Sequence, residues 1–479
     1  MKPIIEASRE VPLLCETDVV VIGGGAAGIG AALAAARTGA KTVIVEKWNR
    51  FGGSQTMTLN NSFTYTDDKI QGGIIQEIVD RLKKAGMTLE SNVGTRRVHW
   101  STDEGCYYFD KEYYMLLIDR MMKEAGVKVL FHSFATDGIV ENGKLKGVII
   151  ETHQGRNAIL AKSVIDCSAV SHIAWKSGAS VMGEEGYTDN RFGPFQGMHM
   201  GFGYGMFLNG VDYKKYREFA EKNVEDWDYW VRGRKLFMDY REKGKLHCPR
   251  NSCLMNEYSD GKCWVLAPYY PIPKGEHPWM VENMTEAEID LREQSWSVYE
   301  MLRDNVPGFE NSWLEQTATS LMMRDGHRIE GRYVLTVDDI SNQCTFDDAI
   351  TCCNMPTDVF FPNGSHHHEY DVLPYDIPFR SLVSKDYPNL LGAGSTASYD
   401  LITWSATRYC TPSVCTGQAA GTAAALAAKQ GIDPGDIDIK LLQKTLQKDG
   451  LVTSNKLVDP MIIDKYKYRV QTWGHCFEL

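Results

Sequence analysis

The segment Thr17–Glu46, TDVVVIGGGAAGIGAALAAARTGAKTVIVE, leaves this chain few ways to begin folding. Asp18–Ile22 is a short apolar run rich in β-branched residues and predicts a strand. Ala26–Thr38 predicts a helix of small residues, and Lys41–Val45 a second strand that ends in an acid. Gly23, Gly25 and Gly28 fall where the first strand gives way to the helix, at the G-x-G-x-x-G spacing. The first glycine permits a tight turn, the second lets a pyrophosphate approach the backbone, and the third lets helix and strand pack closely. Ala26 and Ala27 open the helix, whose first N–H groups face phosphate oxygens with the helix dipole behind them. Glu46 follows about twenty residues on, where a carboxylate accepts hydrogen bonds from a ribose diol. Strand, turn, helix and acid together predict an α/β, Rossmann-like dinucleotide-binding fold.

The next residues narrow the choice of dinucleotide. Glu46 is followed by Lys47 and then by Gly52, Gly53, Ser54, Gln55 and Thr56. This order resembles the FAD-binding flavoproteins related to fumarate reductase, in which such a Gly-Gly segment runs along the pyrophosphate toward the isoalloxazine. The resemblance makes FAD the expected cofactor, ahead of NAD.

With 479 residues the chain has core enough for two or three domains, and 43% hydrophobic with 24% charged residues describes an ordinary globular protein. A formal charge of −11 argues against a nucleic-acid partner. Val19–Ala36 carries no charge, but its glycines and its strand–turn–helix pattern argue against a membrane span. MKPIIEASREVP has early acids and no apolar run, so a signal peptide is not expected, and the expected location is the cytoplasm without membrane attachment. The twelve cysteines include no Cys-x-x-Cys, which favours reduced thiols over an iron–sulfur or zinc framework. His366-His367-His368 lies among Pro, Gly and Asn and reads as a surface loop; no metal site is expected.

Further along, Gln71–Ala85 and Phe109–Ala125 predict helices closed by Gly86 and Gly126. Lys128–Phe131 predicts a strand, Gly138–Asn142 with Leu145–Thr152 a hairpin, and Ser163–Ile165 a short buried strand. From about Ser171 the composition turns aromatic, with Trp227, Trp230, Trp264, Trp279 and Trp296, and Gly193–Gly210 alternates glycine with bulky residues as strands close to a ligand or sheet do. Pro412–Lys429 predicts a helix with Thr411 as N-cap and Pro412 in the first position. A helix lies near Lys440–Lys448, and the remaining tail shows no interpretable pattern. The expected division is 1–170 and 376–430 for cofactor binding, 171–375 as an inserted α+β substrate domain, and 431–479 as a C-terminal helix and tail.

Arg328–Thr336 (RIEGRYVLT), Phe346–Ile350 (FDDAI), the Asn389-Leu-Leu strand and the TGQAAGTAAA run from Thr416 are similar to the FAD-dependent oxidoreductase family, which joins a dinucleotide fold to a fumarate-reductase-like core. The resemblance runs from Asp18 to about Lys448. It implies Gly23, Gly25, Ala26, Ala27 and Gly28 on the pyrophosphate, Glu46 on the adenosine ribose, and Lys47, Phe134 and Ala135 near the adenine. It also implies Gly52, Gly53, Ser54, Gln55 and Thr56 along the phosphates and flavin, Ser168 at the strand end, and Gly394, Thr411, Val414 and Thr416 facing the ribityl chain and flavin. Gln55 stands where related succinate dehydrogenases carry the histidine that bonds covalently to flavin, so non-covalent FAD is expected. Cys167-Ser168-Ala169 replaces the commoner Ala-Thr-Gly, and His327 a commoner arginine.

Flavin chemistry on a C–H bond needs a proton acceptor or donor beside the substrate. His327 is the first candidate, with Arg324 and Arg328 to clamp a carboxylate or stabilise an enolate. Tyr399, Arg408, Asn60 and Asn61 are second-line candidates, and His199 is a rival to His327. The expected function is a dehydrogenase or reductase of a small organic molecule, working by hydride transfer at flavin N5. The alternative is an electron-transfer subunit with a redox partner. A homo-oligomer and an electron-acceptor partner are expected, and a dedicated NAD(P)H domain is not, because no second G-x-G-x-x-G follows a strand.

Overall fold

The computed structural model describes residues 4, 6–64, 66–89, 107–188, 190–227, 231–259, 261–362, 367–368 and 372–473. Val19, Val20 and Val21 are wholly buried because their strand, Leu13–Ile22, lies inside a sheet covered on both faces. Across that sheet the order is Lys128–Leu130, Thr42–Val45, Leu13–Ile22, Gly155–Asp166, Lys144–Thr152 and Phe134–Glu141. The first four strands run parallel and the last two return antiparallel, while Leu390–Gly392 adds in parallel beside Gly155–Asp166. Register sets Ile22 against both Val45 and Asp166. Three strand ends therefore come level, making the crevice at which open α/β sheets bind ligands.

Two helices meet above that crevice without side chains between them. A Cβ on Gly417 would lie 2.0 Å from the Ala27 carbonyl oxygen, one on Gly421 2.1 Å from that of Ala31, and one on Gly30 2.2 Å from that of Val414. Small residues thus let Ala26–Arg37 and Cys410–Gln430 touch backbone to backbone, which brings their starts together.

Between the two contributions to this sheet the chain builds a second, antiparallel one, ordered Val231–Arg232, Cys253–Ser259, Lys262–Tyr270, Phe202–Asn209 and Trp313–Thr317. The helix Val281–Asn305 covers it, and Met206, Leu208, Val265, Val298 and Leu302 form part of its own core. It meets the short helix Ser54–Met57 closely: Thr319 N donates to Met57 O at 2.8 Å, and a Cβ on Gly205 would lie 2.5 Å from Thr58 O.

Several elements differ from the sequence expectation. The strand expected at Ser163–Ile165 spans Gly155–Asp166, since its first half pairs antiparallel with Lys144–Thr152. Gly193–Gly210 is one strand, Phe202–Asn209, preceded by a 3-10 turn at Asn190–Phe195. The helix expected from Pro412 starts at Cys410 with Tyr409 as N-cap. Thr411 cannot serve as cap because its hydroxyl donates to Thr64 O at 3.0 Å and lies 2.6 Å from that of Thr66. His367–His368 is a strand paired with Val359–Phe360 rather than a loop; His366 and Trp230 lie outside the described residues. The tail forms a further helix, Pro460–Trp473. Among the described residues no helix is long and apolar enough to cross a membrane, and the ten described cysteines are all free.

Candidate active site

Two helix starts lie side by side at the crevice. Asp110, Asp212, Asp400 and Asp438 each cap a helix by accepting a hydrogen bond from its first turn. The two helices that meet at the crevice have no side-chain cap and no acid in the first turn. Their free N–H groups and positive dipole ends point at shared space, which is the arrangement an anion needs. The glycines divide the work there. Gly23, at φ +97°, turns the chain so tightly that a Cβ would lie 2.5 Å from Cys167 O, and a Cβ on Gly28 would lie 1.8 Å from Gly23 O. A Cβ on Gly25 would meet nothing nearer than Gly53 Cα at 3.9 Å. That open side of Gly25 is where a ligand's phosphates have room.

A second loop braces the first. Gly52 N donates to Gly24 O at 2.9 Å, and Gly52 and Gly53 both take positive φ. Ser54 then begins the short helix, its hydroxyl 3.7 Å from Cys410 Sγ, while Thr56 Oγ1 donates to Phe51 O at 2.7 Å. Gln55 is fully buried and accepts from Tyr114 OH at 3.0 Å. Glu46 is buried too, and accepts from Gly24 N at 2.5 Å and Trp48 N at 2.8 Å. Ser133 N donates to Glu46 O, which sets Phe134 and Ala135 near the acid; the Phe134 residue is 45% exposed. Gly394 N donates to Thr416 Oγ1 at 3.0 Å, and a Cβ there would press on Ala27 and Ser413. Ser168 is used locally: its N–H donates to Asp166 and its hydroxyl accepts from His172 N.

The family model of FAD dependent oxidoreductases matches residues 18–446. The chain belongs to this family. It is an FAD-dependent enzyme. A thiamine thiazole synthase of Methanococcus vannielii is 29% identical over 202 residues, covering 38% of this chain and 71% of that protein. Among solved structures, a geranylgeranyl bacteriochlorophyll reductase-like protein of Thermoplasma acidophilum is 14% identical, covering 96% of this chain and 99% of its own at a TM-score of 0.48. A p-nitrophenol 4-monooxygenase of Pseudomonas putida is 11% identical, covering 96% and 94% at a TM-score of 0.46. The cradle fits FAD: two uncapped helix starts and the space over Gly25 suit a pyrophosphate, and the Glu46 carboxylate bonded to Gly24 N is an acceptor of the kind a ribose diol needs.

The polar side chains expected at the flavin do not form one cluster. Arg324 and Arg408 come together with Arg250, Asp358 and Phe360 in the interior; the Arg324 guanidinium lies 4.1 Å from the Phe360 ring centroid, and Arg408 Nη2 lies 3.0 Å from Asp358 Oδ2. Arg328 is committed elsewhere, since Nε donates to Tyr399 O at 3.1 Å and Nη1 to Gly326 O at 3.2 Å. Among the described residues the Tyr399 hydroxyl is buried without a partner. His327 Nε2 lies 2.7 Å from Glu184 Oε1, and its ring is 3.9 Å from that of Trp279 and 5.2 Å from that of Trp175. Burial lowers the His327 pKa, against the opposing pull of Glu184. His199 is wholly buried between Asp325 Oδ2 at 3.0 Å and His277 Nδ1 at 3.2 Å. Asn60 accepts from Ser62, and the Asn61 carbonyl accepts from Tyr258 OH at 2.5 Å. Arg250 was not legible in the sequence, because nothing around Cys248-Pro-Arg250-Asn marks it.

Proposed function

We propose that the chain moves a hydride between a small organic substrate and flavin N5, in the manner of the fumarate-reductase-like flavoproteins that its motifs resemble. The observation that carries this reading is a junction. Arg408, which belongs to the buried arginine group, lies directly before Tyr409, the N-cap of the helix whose uncapped start faces the cradle. One short stretch of backbone therefore links a cluster of polar donors to the expected edge of the cofactor. On this reading residues 1–170 and 376–430 hold FAD, and residues 171–375 close over the substrate.

Bound FAD would supply the hydride acceptor or donor; the chain's residues hold and orient. Gly25, the Ala26–Ala27 start and the Cys410–Ser413 start would hold the pyrophosphate and flavin edge, and Glu46 the ribose. Gln55 offers no nucleophile for covalent attachment. Arg324 and Arg408 would orient the substrate's polar end. His327 is the proposed proton acceptor: burial favours its neutral form near pH 7, and Glu184 engages only one ring nitrogen. The test is anaerobic mixing of the yellow protein with metabolite pools, followed in the visible band. A metabolite that bleaches or re-oxidises the flavin is expected; a response confined to protein or quinone partners would overturn the reading in favour of an electron-transfer subunit. His327→Ala should retain FAD and slow flavin reduction in a single turnover, and unchanged kinetics would remove His327 from the mechanism.

A further inference from the structure

We propose that Arg250, Arg324 and Arg408 form a receptor for an organic anion carrying two negative charges, an inference that rests on the function proposed above and names its substrate class. Arg250 and Arg324 are 5% and 2% exposed, and their guanidinium carbons lie 5.2 and 4.1 Å from the centroid of one ring, Phe360. Contact with a ring face leaves a guanidinium's in-plane N–H groups unsatisfied. Here Arg250 Nη1, Arg324 Nε, Arg324 Nη1 and Arg408 Nε are all buried with no hydrogen-bond partner among the described residues. Of the three arginines Asp358 hydrogen-bonds only Arg408, whose Nη2 donates to its carboxylate and to its carbonyl oxygen, and the Tyr409 hydroxyl donates to the same carboxylate. The neighbouring carboxylate, Asp325, is taken by His199, Arg328 and the N–H groups of Met200 and Gly326.

Three guanidinium groups thus share one carboxylate, and among the described residues two positive charges are left without a counter-charge of their own in the interior. Buried charge of that kind is strongly disfavoured unless an ion from outside completes it. Burial and the repulsion of Arg408 and Arg250 push the Arg324 pKa down to about 10, which leaves it charged at neutral pH. The unmet donors are planar and forked, the geometry that takes carboxylate or phosphate oxygens two at a time. Charge and donor geometry are the same for a dicarboxylate and for a phosphate monoester.

The FAD-loaded protein is titrated by calorimetry and by flavin absorbance with malonate, inorganic phosphate and acetate. Malonate or phosphate should bind in the millimolar range or tighter and more strongly than acetate; tighter malonate marks a dicarboxylate substrate, tighter phosphate a phosphoryl one. Arg250→Gln and Arg324→Gln should each weaken that dianion by about 30-fold or more, with Arg250→Lys retaining part of the affinity. Without ligand, the glutamine variants should melt no lower than the parent, because each removes an uncompensated buried charge. Failure of both dianions to bind, or parental affinity in Arg250→Gln, would overturn the receptor. Dianion binding that leaves the flavin spectrum unchanged would keep the receptor and count against the flavin-side reading. Flavin bleaching by a metabolite with no dianion binding would do the reverse.

Discussion

A Cβ placed on Gly28 would lie 1.8 Å from the carbonyl oxygen of Gly23, so the helix and the turn that precedes it are in backbone contact. Gly25, between them, has no such neighbour. Two substitutions should therefore separate folding from cofactor binding. Gly28→Ala should cost about 1–3 kcal/mol or more, since the clash is with backbone that cannot rotate away. Gly25→Ala keeps a φ of −73° that alanine adopts freely, and should change the stability of the FAD-free protein by less than about 1 kcal/mol. It should still weaken FAD by at least about tenfold, because its methyl enters the phosphate space. Urea melts of the FAD-free variants and FAD titration by fluorescence decide both; FAD affinity unaltered by Gly25→Ala would move the pyrophosphate elsewhere.

Glu46 gives a second handle. Its two carboxylate oxygens accept from two backbone N–H groups, Gly24 and Trp48. Glu46→Gln keeps the shape but presents one N–H₂ group to a donor, and should cost the FAD-free protein about 1–3 kcal/mol. A loss of FAD affinity without that destabilisation would mean the carboxylate serves the ribose alone.

How much of this was readable beforehand depends on whether the cause was local. The Gly23–Gly28 turn was legible because glycine positions act on the residues beside them, and the strand and helix it joins were expected within a few residues of where they lie. The start of the Cys410–Gln430 helix was not, because the Thr411 hydroxyl that would cap it is drawn to Thr64 and Thr66, more than 340 residues away in sequence. Arg324 and Arg328 look equivalent in the sequence. Only the fold shows that Arg328 is spent on the Tyr399 and Gly326 carbonyls while Arg324 keeps unmet donors. Arg250 joins the group through Phe360, a contact between segments with no shared motif.

His327 carries a pH prediction. Burial depresses its folded pKa, so between the folded and unfolded values the unfolded chain binds more protons. Stability from this residue is then present above the ordinary histidine pKa and is lost as pH falls through it. Melting temperature should drop between about pH 7.5 and about pH 5.5, and His327→Gln should flatten that slope. A slope unchanged in His327→Gln would assign the acid sensitivity to another group.

The Tyr399 hydroxyl is buried with no partner among the described residues, yet its residue lies at the turn before the helix Leu401–Thr407, and its carbonyl anchors Arg328. An unmet buried hydroxyl is a liability in the FAD-free protein, so Tyr399→Phe should leave stability unchanged or raise it by about 1 kcal/mol. The hydroxyl brings the FAD-free protein no structural gain, which fits a group whose partner arrives with cofactor or substrate. In the FAD-loaded enzyme Tyr399→Phe should therefore slow flavin reduction by about tenfold, roughly one hydrogen bond to a reacting or bound group. Chemical denaturation of the FAD-free form and stopped-flow reduction of the loaded form separate the two effects. Destabilisation by more than about 1 kcal/mol would show that the hydroxyl is satisfied within the protein, for example by a buried water, and would remove Tyr399 from the flavin-side candidates.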